Sequence, residues 1–139
     1  MRKFVLCSLI AFAICVSTST AFGASAPDKA MEAASVWLAL ADKGDVQATW
    51  NQAAEAFKTG IELKEWEKKL PKARQPFGDV ITRKASSSET TTTLPGVPDG
   101  EYAIFRFQTA FAHKKNAVET LLMQKEKDGG WRTIGYFIK

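Results

Sequence analysis

The chain has 139 residues, of which 19 are basic and 15 acidic, with a formal net charge of +4, one histidine and two cysteines. That length supports one domain around one hydrophobic core, and the composition is ordinary for a globular protein. The charge excess is too weak to suggest a nucleic-acid partner.

Arg2 and Lys3 precede an uncharged apolar run from Phe4 to Val16, and small polar residues then lead to Ala21–Ala26. A basic start, an apolar stretch and an A-x-A-like exit predict a secretory signal peptide over residues 1–26, cleaved between 21 and 26. The expected location is therefore outside the cytoplasm, as a periplasmic or secreted bacterial protein. The apolar run falls short of the roughly 20 residues that cross a bilayer, so no stable membrane span is expected after cleavage. Cys7 and Cys15 leave with this segment. The remaining domain, 27–139, is expected to lack a disulfide, a thiolate metal ligand and a cysteine nucleophile.

Three helices are predicted next. Over 27–44, Ala30, Ala33, Ala34, Trp37, Leu38 and Ala41 recur at helical spacing, with Gly44 as the residue that ends the helix. Over 45–60, Asp45 is the N-cap and Trp50, Ala53, Ala54 and Phe57 form the stripe. Over 62–78, Trp66, Leu70, Ala73 and Phe77 share a face; Pro71 should kink this helix or divide it in two, because proline removes a helical hydrogen bond.

After Gly78 the hydrophobic period changes to two. Residues 79–93 read as a strand rich in β-branched residues, with a bulge or frayed stretch near Ser86–Ser88. Residues 101–111 are a strand carrying Tyr102, Phe105, Phe107 and Phe111. His113–Asn116 is read as a four-residue hairpin loop, 117–127 as the returning strand, Asp128–Gly130 as a tight turn and 131–139 as the last strand. The sum is α+β: three N-terminal helices packed on a four-stranded antiparallel meander.

With a four-residue loop, Phe111 faces Val118, Phe107 faces Leu122 and Phe105 faces Gln124, which places Ile104, Leu121 and Met123 on the outer face. A two-residue last turn sends Ile134, Tyr136 and Ile138 outward, and a three-residue turn sends them inward. In the first case the outer face is a contiguous apolar patch suited to a homodimer. The phenylalanine face is expected under the helices bearing Trp37, Trp50 and Trp66.

"LPGVPDGEYAIFRFQTAF", "VETLL" and "DGGWRTIGYFI", with "FGDVITRK" upstream, resemble the secreted bacterial proteins grouped as domain-of-unknown-function family 4019. The resemblance runs from about Ala34 to Ile138 and implies no assigned activity, so no catalytic residue is carried over. Helices followed by a curved antiparallel sheet are also similar to the nuclear transport factor 2-like fold, a cone that often holds a pocket and commonly dimerises through its sheet. A cystatin-like grip is the competing architecture, and either analogy concerns the fold alone.

Catalytic constellations are scarce. One histidine, His113 in a loop beside two lysines, and no mature cysteine leave no Ser-His-Asp or His-rich zinc set. No phosphate loop or EF-hand spacing occurs, so no cofactor or metal is expected. Asp79, Glu101 and Glu119 are the strand-borne carboxylates, with Glu119 read mainly as a surface charge that can pair with Arg106. Asp99 and Asp128 read as turn formers. Arg74 is either a clamp for an anionic ligand or, more simply, a partner of Asp79. The resulting expectation is a binding domain for a small ligand or protein partner, with Trp50, Trp66, Arg74, Tyr102, Phe107 and Tyr136 as candidate ligand contacts. The alternatives are a small enzyme using carboxylates with Tyr102 and Tyr136 as acid or base, and a structural cell-envelope protein.

Overall fold

Ser25 is the N-cap of the first helix among the described residues. Its hydroxyl accepts from the Asp28 N–H, and the Asp28 carboxylate accepts from the Ser25 N–H at 3.1 Å. This reciprocal capping box satisfies two otherwise orphaned donors. Helix α1 (Ala26–Asp42) follows. It ends as expected at Gly44, whose φ of +73° suits a residue without a Cβ. The Gly44 N–H donates to Ala41 and the Asp45 N–H to Leu40, each at 3.1 Å, the two bonds of a Schellman motif. The computed structural model describes residues 23–139. The predicted secretory segment lies outside the described residues except for its last few.

The predicted second helix is two short helices, α2 (Val46–Asn51) and α3 (Glu55–Gly60). Asp45 caps α2 as expected, accepting from the Ala48 N–H at 3.0 Å. The break between them is tertiary in origin: Ala53 forms a parallel bridge with Thr133, and the Ala54 N–H donates to the Thr133 carbonyl at 2.9 Å. The alanine-rich segment thus gives up helical bonds to cap the edge of the sheet. Helix α4 (Leu63–Arg74) runs through Pro71 as one helix, so it is not divided there. It stops short of the predicted Phe77, in a turn closed by Gly78 at φ +74°.

Strands β1 (Val80–Thr91), β2 (Tyr102–Phe111), β3 (Ala117–Lys125) and β4 (Trp131–Ile138) form an antiparallel meander in the order β1-β2-β3-β4. β1 bulges between Ala85 and Ser87, where the serine run predicted an irregularity. The β2–β3 register differs from expectation: Phe107 faces Glu119, Phe105 faces Leu121 and Thr109 faces Ala117. The turn closes tightly between Phe111 and Lys114, because Ala112 and His113 donate their N–H groups to Asp79 and Phe77. The shift is an odd number of residues, so it exchanges the faces of β3. Leu121 and Met123 join the phenylalanines, whereas Val118 and Leu122 turn outward.

The last turn is a three-residue loop over 127–129. Glu126 exchanges bonds with Gly129 and Gly130, and Gly129 sits at φ +83°, the arrangement of a type I turn with a G1 bulge. A second irregularity between Leu122 and Met123 resets the register. Tyr136 and Ile138 then face Leu121 and Glu119 on the helix side, Phe137 points outward with 60 % exposure, and Ile134 takes the extra position.

The helices roof the phenylalanine face, as expected: Phe105 is 1 % and Phe107 4 % exposed. Ala30, Ala34, Trp37, Leu38 and Ala41 of α1 and Trp66 and Leu70 of α4 meet Phe105, Phe107, Leu121 and Met123 in one cluster. Burying each large side chain contributes about 1.5–3 kcal/mol. The indoles are polar at one end and find partners there. Trp37 donates to the Thr49 carbonyl at 2.9 Å, Trp66 to the Thr49 hydroxyl at 3.0 Å and Trp50 to the Ile61 carbonyl at 3.1 Å. Thr49 is fully buried and fixes α2 beneath both rings.

Candidate functional site

Glu119 stands in the apolar alternation of β3, flanked on its face by Ala117 and Leu121, and has no exposed surface. A buried carboxylate is costly unless its oxygens are fully occupied. Here Oε1 accepts from the Thr109 hydroxyl at 2.7 Å and from Arg83 Nε at 2.8 Å. Oε2 accepts from the Tyr136 hydroxyl at 2.7 Å, Arg83 Nη2 at 3.1 Å and Arg74 Nη1 at 3.4 Å. Its neighbours come from β1, β2, β4 and the last turn of α4.

The same two arginines reach outward to Asp42 at the end of α1. Arg83 donates to both Asp42 oxygens at 2.7 and 2.9 Å, and Arg74 Nη2 donates to Oδ1 at 2.6 Å. Arg74 Nη1 also donates to the Tyr136 hydroxyl at 2.8 Å. Its guanidinium carbon lies 5.8 Å from both the Phe111 and Tyr136 ring centroids, within cation–π range. Two guanidiniums and two carboxylates cancel in formal charge. Among the described residues, every buried side-chain nitrogen and oxygen has a hydrogen-bond partner.

An aspartate in the last turn of a helix opposes the helix dipole, so the arginines must hold Asp42 there. Burial is the largest single influence on its carboxyl and would raise its pKa. The hydrogen bonds and charge of Arg83, followed by those of Arg74, outweigh burial and leave it below the ordinary 3.8. Burial also opposes the charge on Arg83, but Asp42 and Glu119 together raise its pKa further above the normal range. Tyr136 is pushed far above the usual tyrosine range, first by burial and then by the Glu119 charge. It keeps its proton and acts as a donor to Glu119.

Because the Asp42 pKa is depressed on folding, its stabilisation is complete above the unfolded value and is lost as pH falls through the folded one. The Asp42→Asn variant should therefore show a shallower loss of stability between about pH 5 and pH 2 than the parent chain. Urea midpoints measured across that range test this, and parallel acid limbs would contradict it.

A cleft of about 620 Å³ opens over the outer end of this network, between the C-terminal turns of α1 and α4 and the start of β1. Asp42 and Arg74 belong to its wall, as do Lys43, Gln75 and Asp79, while Val46, Leu70, Pro71 and Val80 supply apolar surface. Two smaller hollows of about 250 and 280 Å³ flank Trp131.

The six predicted ligand contacts do not converge. Arg74 and Tyr136 meet in the network. Trp66 and Phe107 are buried core residues, and Trp50 is half-buried with the Lys58 ammonium 5.4 Å from its ring. Tyr102 is buried, donates its hydroxyl to the Pro98 carbonyl and packs against Gly100. The expected Arg74–Asp79 pair is replaced by Arg74–Asp42 and Arg74–Glu119; Asp79 is exposed, and its carbonyl serves Ala112. Glu119 is interior and pairs with Arg83 rather than Arg106, which lies near Ser87 at 3.5 Å. Glu101 pairs with Lys125 at 2.9 Å, and Asp128 caps the last turn through the Gly130 N–H as predicted. Asp42, Arg83 and Thr109 were not expected in a site.

These features define an α+β domain in which four helices cover one face of an antiparallel meander and a charge-balanced network closes one end. Residues 33–136, from α1 to Tyr136, match the family described as Protein of unknown function (DUF4019). The chain belongs to that family, in agreement with the resemblance carried by its PDGEY and WR–GY segments. No curated protein matches the chain at a significant level. No helix among the described residues is long and apolar enough to cross a membrane, and none of them form a cluster of three or more histidine, cysteine or acidic residues able to hold a metal.

Proposed function

We propose that the protein is an exported, non-enzymatic binding domain whose ligand enters the cleft between α1, α4 and β1. The carrying observation is the cleft itself, about 620 Å³ in volume and within the 300–1,000 Å³ range usual for small-molecule sites. Its charged floor is pinned by residues from four strands and two helices, so the wall is organised before any ligand arrives. In this reading the cleft is the mouth of a nuclear transport factor 2-like cone largely filled by Trp37, Phe105 and Leu121.

A binding role is favoured over catalysis because the acid–base groups of the network are engaged with one another. Both network carboxylates are held by arginines and the Tyr136 proton by Glu119, while Tyr102, away from the cleft, donates its hydroxyl to Pro98. Asp42, whose carboxyl the arginines hold below its ordinary value, is a weak proton acceptor in catalysis even though it can still accept hydrogen bonds. Export is supported by the N-terminal pattern, and the Ser25 capping box favours a cut upstream of that residue, which N-terminal sequencing of the exported protein would locate. Phe137, exposed beside Leu122 on the outer sheet face, supports a homodimer through that face; a strictly monomeric mass by light scattering at high concentration would remove it.

Screening small organic molecules by amide NMR tests the cleft. Perturbed resonances are expected to cluster at Lys43, Gly44, Gln75 and Gly78. Clustering around Trp131 or on the outer sheet face, or no perturbation at all, would overturn the assignment.

A further inference from the structure

We infer that the cleft selects ligands carrying a positively charged amine on an apolar body, an inference that rests on the cleft being the binding site. The decisive feature is how the arginines are used. Arg74 and Arg83 are the obvious attractors for an anion, yet Asp42 and Glu119 neutralise both. To reach either arginine, a carboxylate ligand would have to displace Asp42, which is tethered in place and held by three hydrogen bonds of 2.6–2.9 Å. Such an internal competitor has a high effective concentration.

The residual field has the opposite sign. The wall side chains Asp42, Lys43, Arg74 and Asp79 cancel in formal charge. The C-terminal turns of α1 and α4 both border the cleft, and each helix end carries roughly half a negative charge. Asp42 also has acceptor capacity to spare. Oδ1 receives two hydrogen bonds, whereas Oδ2 receives one, from Arg83 Nη1, and an ionised carboxylate offers about four lone-pair sites. Its side chain keeps 28 % of its exposure and belongs to the cleft wall, which leaves room for a further donor. An ammonium group has three donors and no acceptor, which fits this wall. Val46, Pro71 and Val80 provide the surface for an alkyl or aryl body.

Titration of the folded protein with hexylammonium, hexanoate and hexanol, followed by amide NMR, separates the alternatives. Hexylammonium is expected to perturb Lys43, Gly44, Gln75 and Gly78 and to bind about tenfold more tightly than hexanoate. In Asp42→Asn the arginines gain a surplus charge, so the order of hexylammonium and hexanoate should reverse. If that variant fails to fold, Asp79→Asn, an exposed change outside the network, should weaken hexylammonium about two- to fivefold and leave hexanol unchanged. Hexanoate or hexanol binding the parent cleft as tightly as hexylammonium would overturn the inference while leaving the cleft as the site. Failure of all three to reach the cleft would overturn both readings.

Discussion

Replacing Glu119 with leucine is expected to lower the free energy of unfolding by about 3–5 kcal/mol, the usual cost of removing one partner from a buried ion pair. The change leaves Arg74 and Arg83 with Asp42 alone, and one of the two guanidiniums is then uncompensated in a mostly apolar setting. It also strips the acceptor from the Thr109 and Tyr136 hydroxyls. A domain of this size has only about 5–15 kcal/mol of stability, so much of the reserve would disappear. The double variant Glu119→Leu with Arg83→Met restores the charge balance, because Arg74 and Asp42 still pair at 2.6 Å. It should recover most of the loss, as buried ion sets replaced wholesale by apolar residues often do. Urea denaturation of the parent, both single variants and the double gives the coupling directly. A loss below about 1 kcal/mol in Glu119→Leu would show that the network does not hold this end of the domain.

The network also shows which physical signals a sequence carries and which it hides. Its members stand at 42, 74, 83, 109, 119 and 136, one from each of six elements, so no spacing announces them. Two local anomalies were nonetheless present: an aspartate in the last turn of α1, and a carboxylate interrupting the apolar alternation of β3. Each is unfavourable alone, and each is explained only by arginines arriving from elsewhere.

Where structure depends on local chemistry, neighbouring residues dictate it. Gly44, Asp45 and the alternating phenylalanines of β2 behave as their spacing implies, because capping and period-two burial are decided within a few positions. The failures lie where distant segments compete for the backbone. No breaker separates α2 from α3; Thr133 draws the Ala53–Ala54 segment into a bridge. Nothing in "HKKN" marks its turn as two residues tighter than a regular loop. That turn is set by Phe77 and Asp79, whose carbonyls take the Ala112 and His113 N–H groups. One odd-numbered shift then turned Leu121 and Met123 inward and carried Glu119 into the core.

The same junction carries the second large expected effect. Gly78 sits at φ +74°, and a Cβ built there would lie 2.3 Å from His113 Cδ2 and 2.9 Å from Nε2. Two independent costs should add in Gly78→Ala. An L-residue in the left-handed region costs about 1–2 kcal/mol, and turning the exposed His113 ring away from its rotamer costs about 0.5–1.5 kcal/mol. The backbone of the turn is held by the His113 N–H bound to Phe77 at 2.9 Å and the Ala112 N–H bound to Asp79 at 2.8 Å, so it is the exposed His113 ring that must rotate. The expected loss is therefore about 1.5–3.5 kcal/mol. Pairing Gly78→Ala with His113→Ala removes the ring but keeps the backbone strain, so the double variant should differ from His113→Ala by only about 1–2 kcal/mol. Equal effects of Gly78→Ala in both backgrounds would assign the whole cost to backbone conformation and refute the close packing of the turn on this glycine.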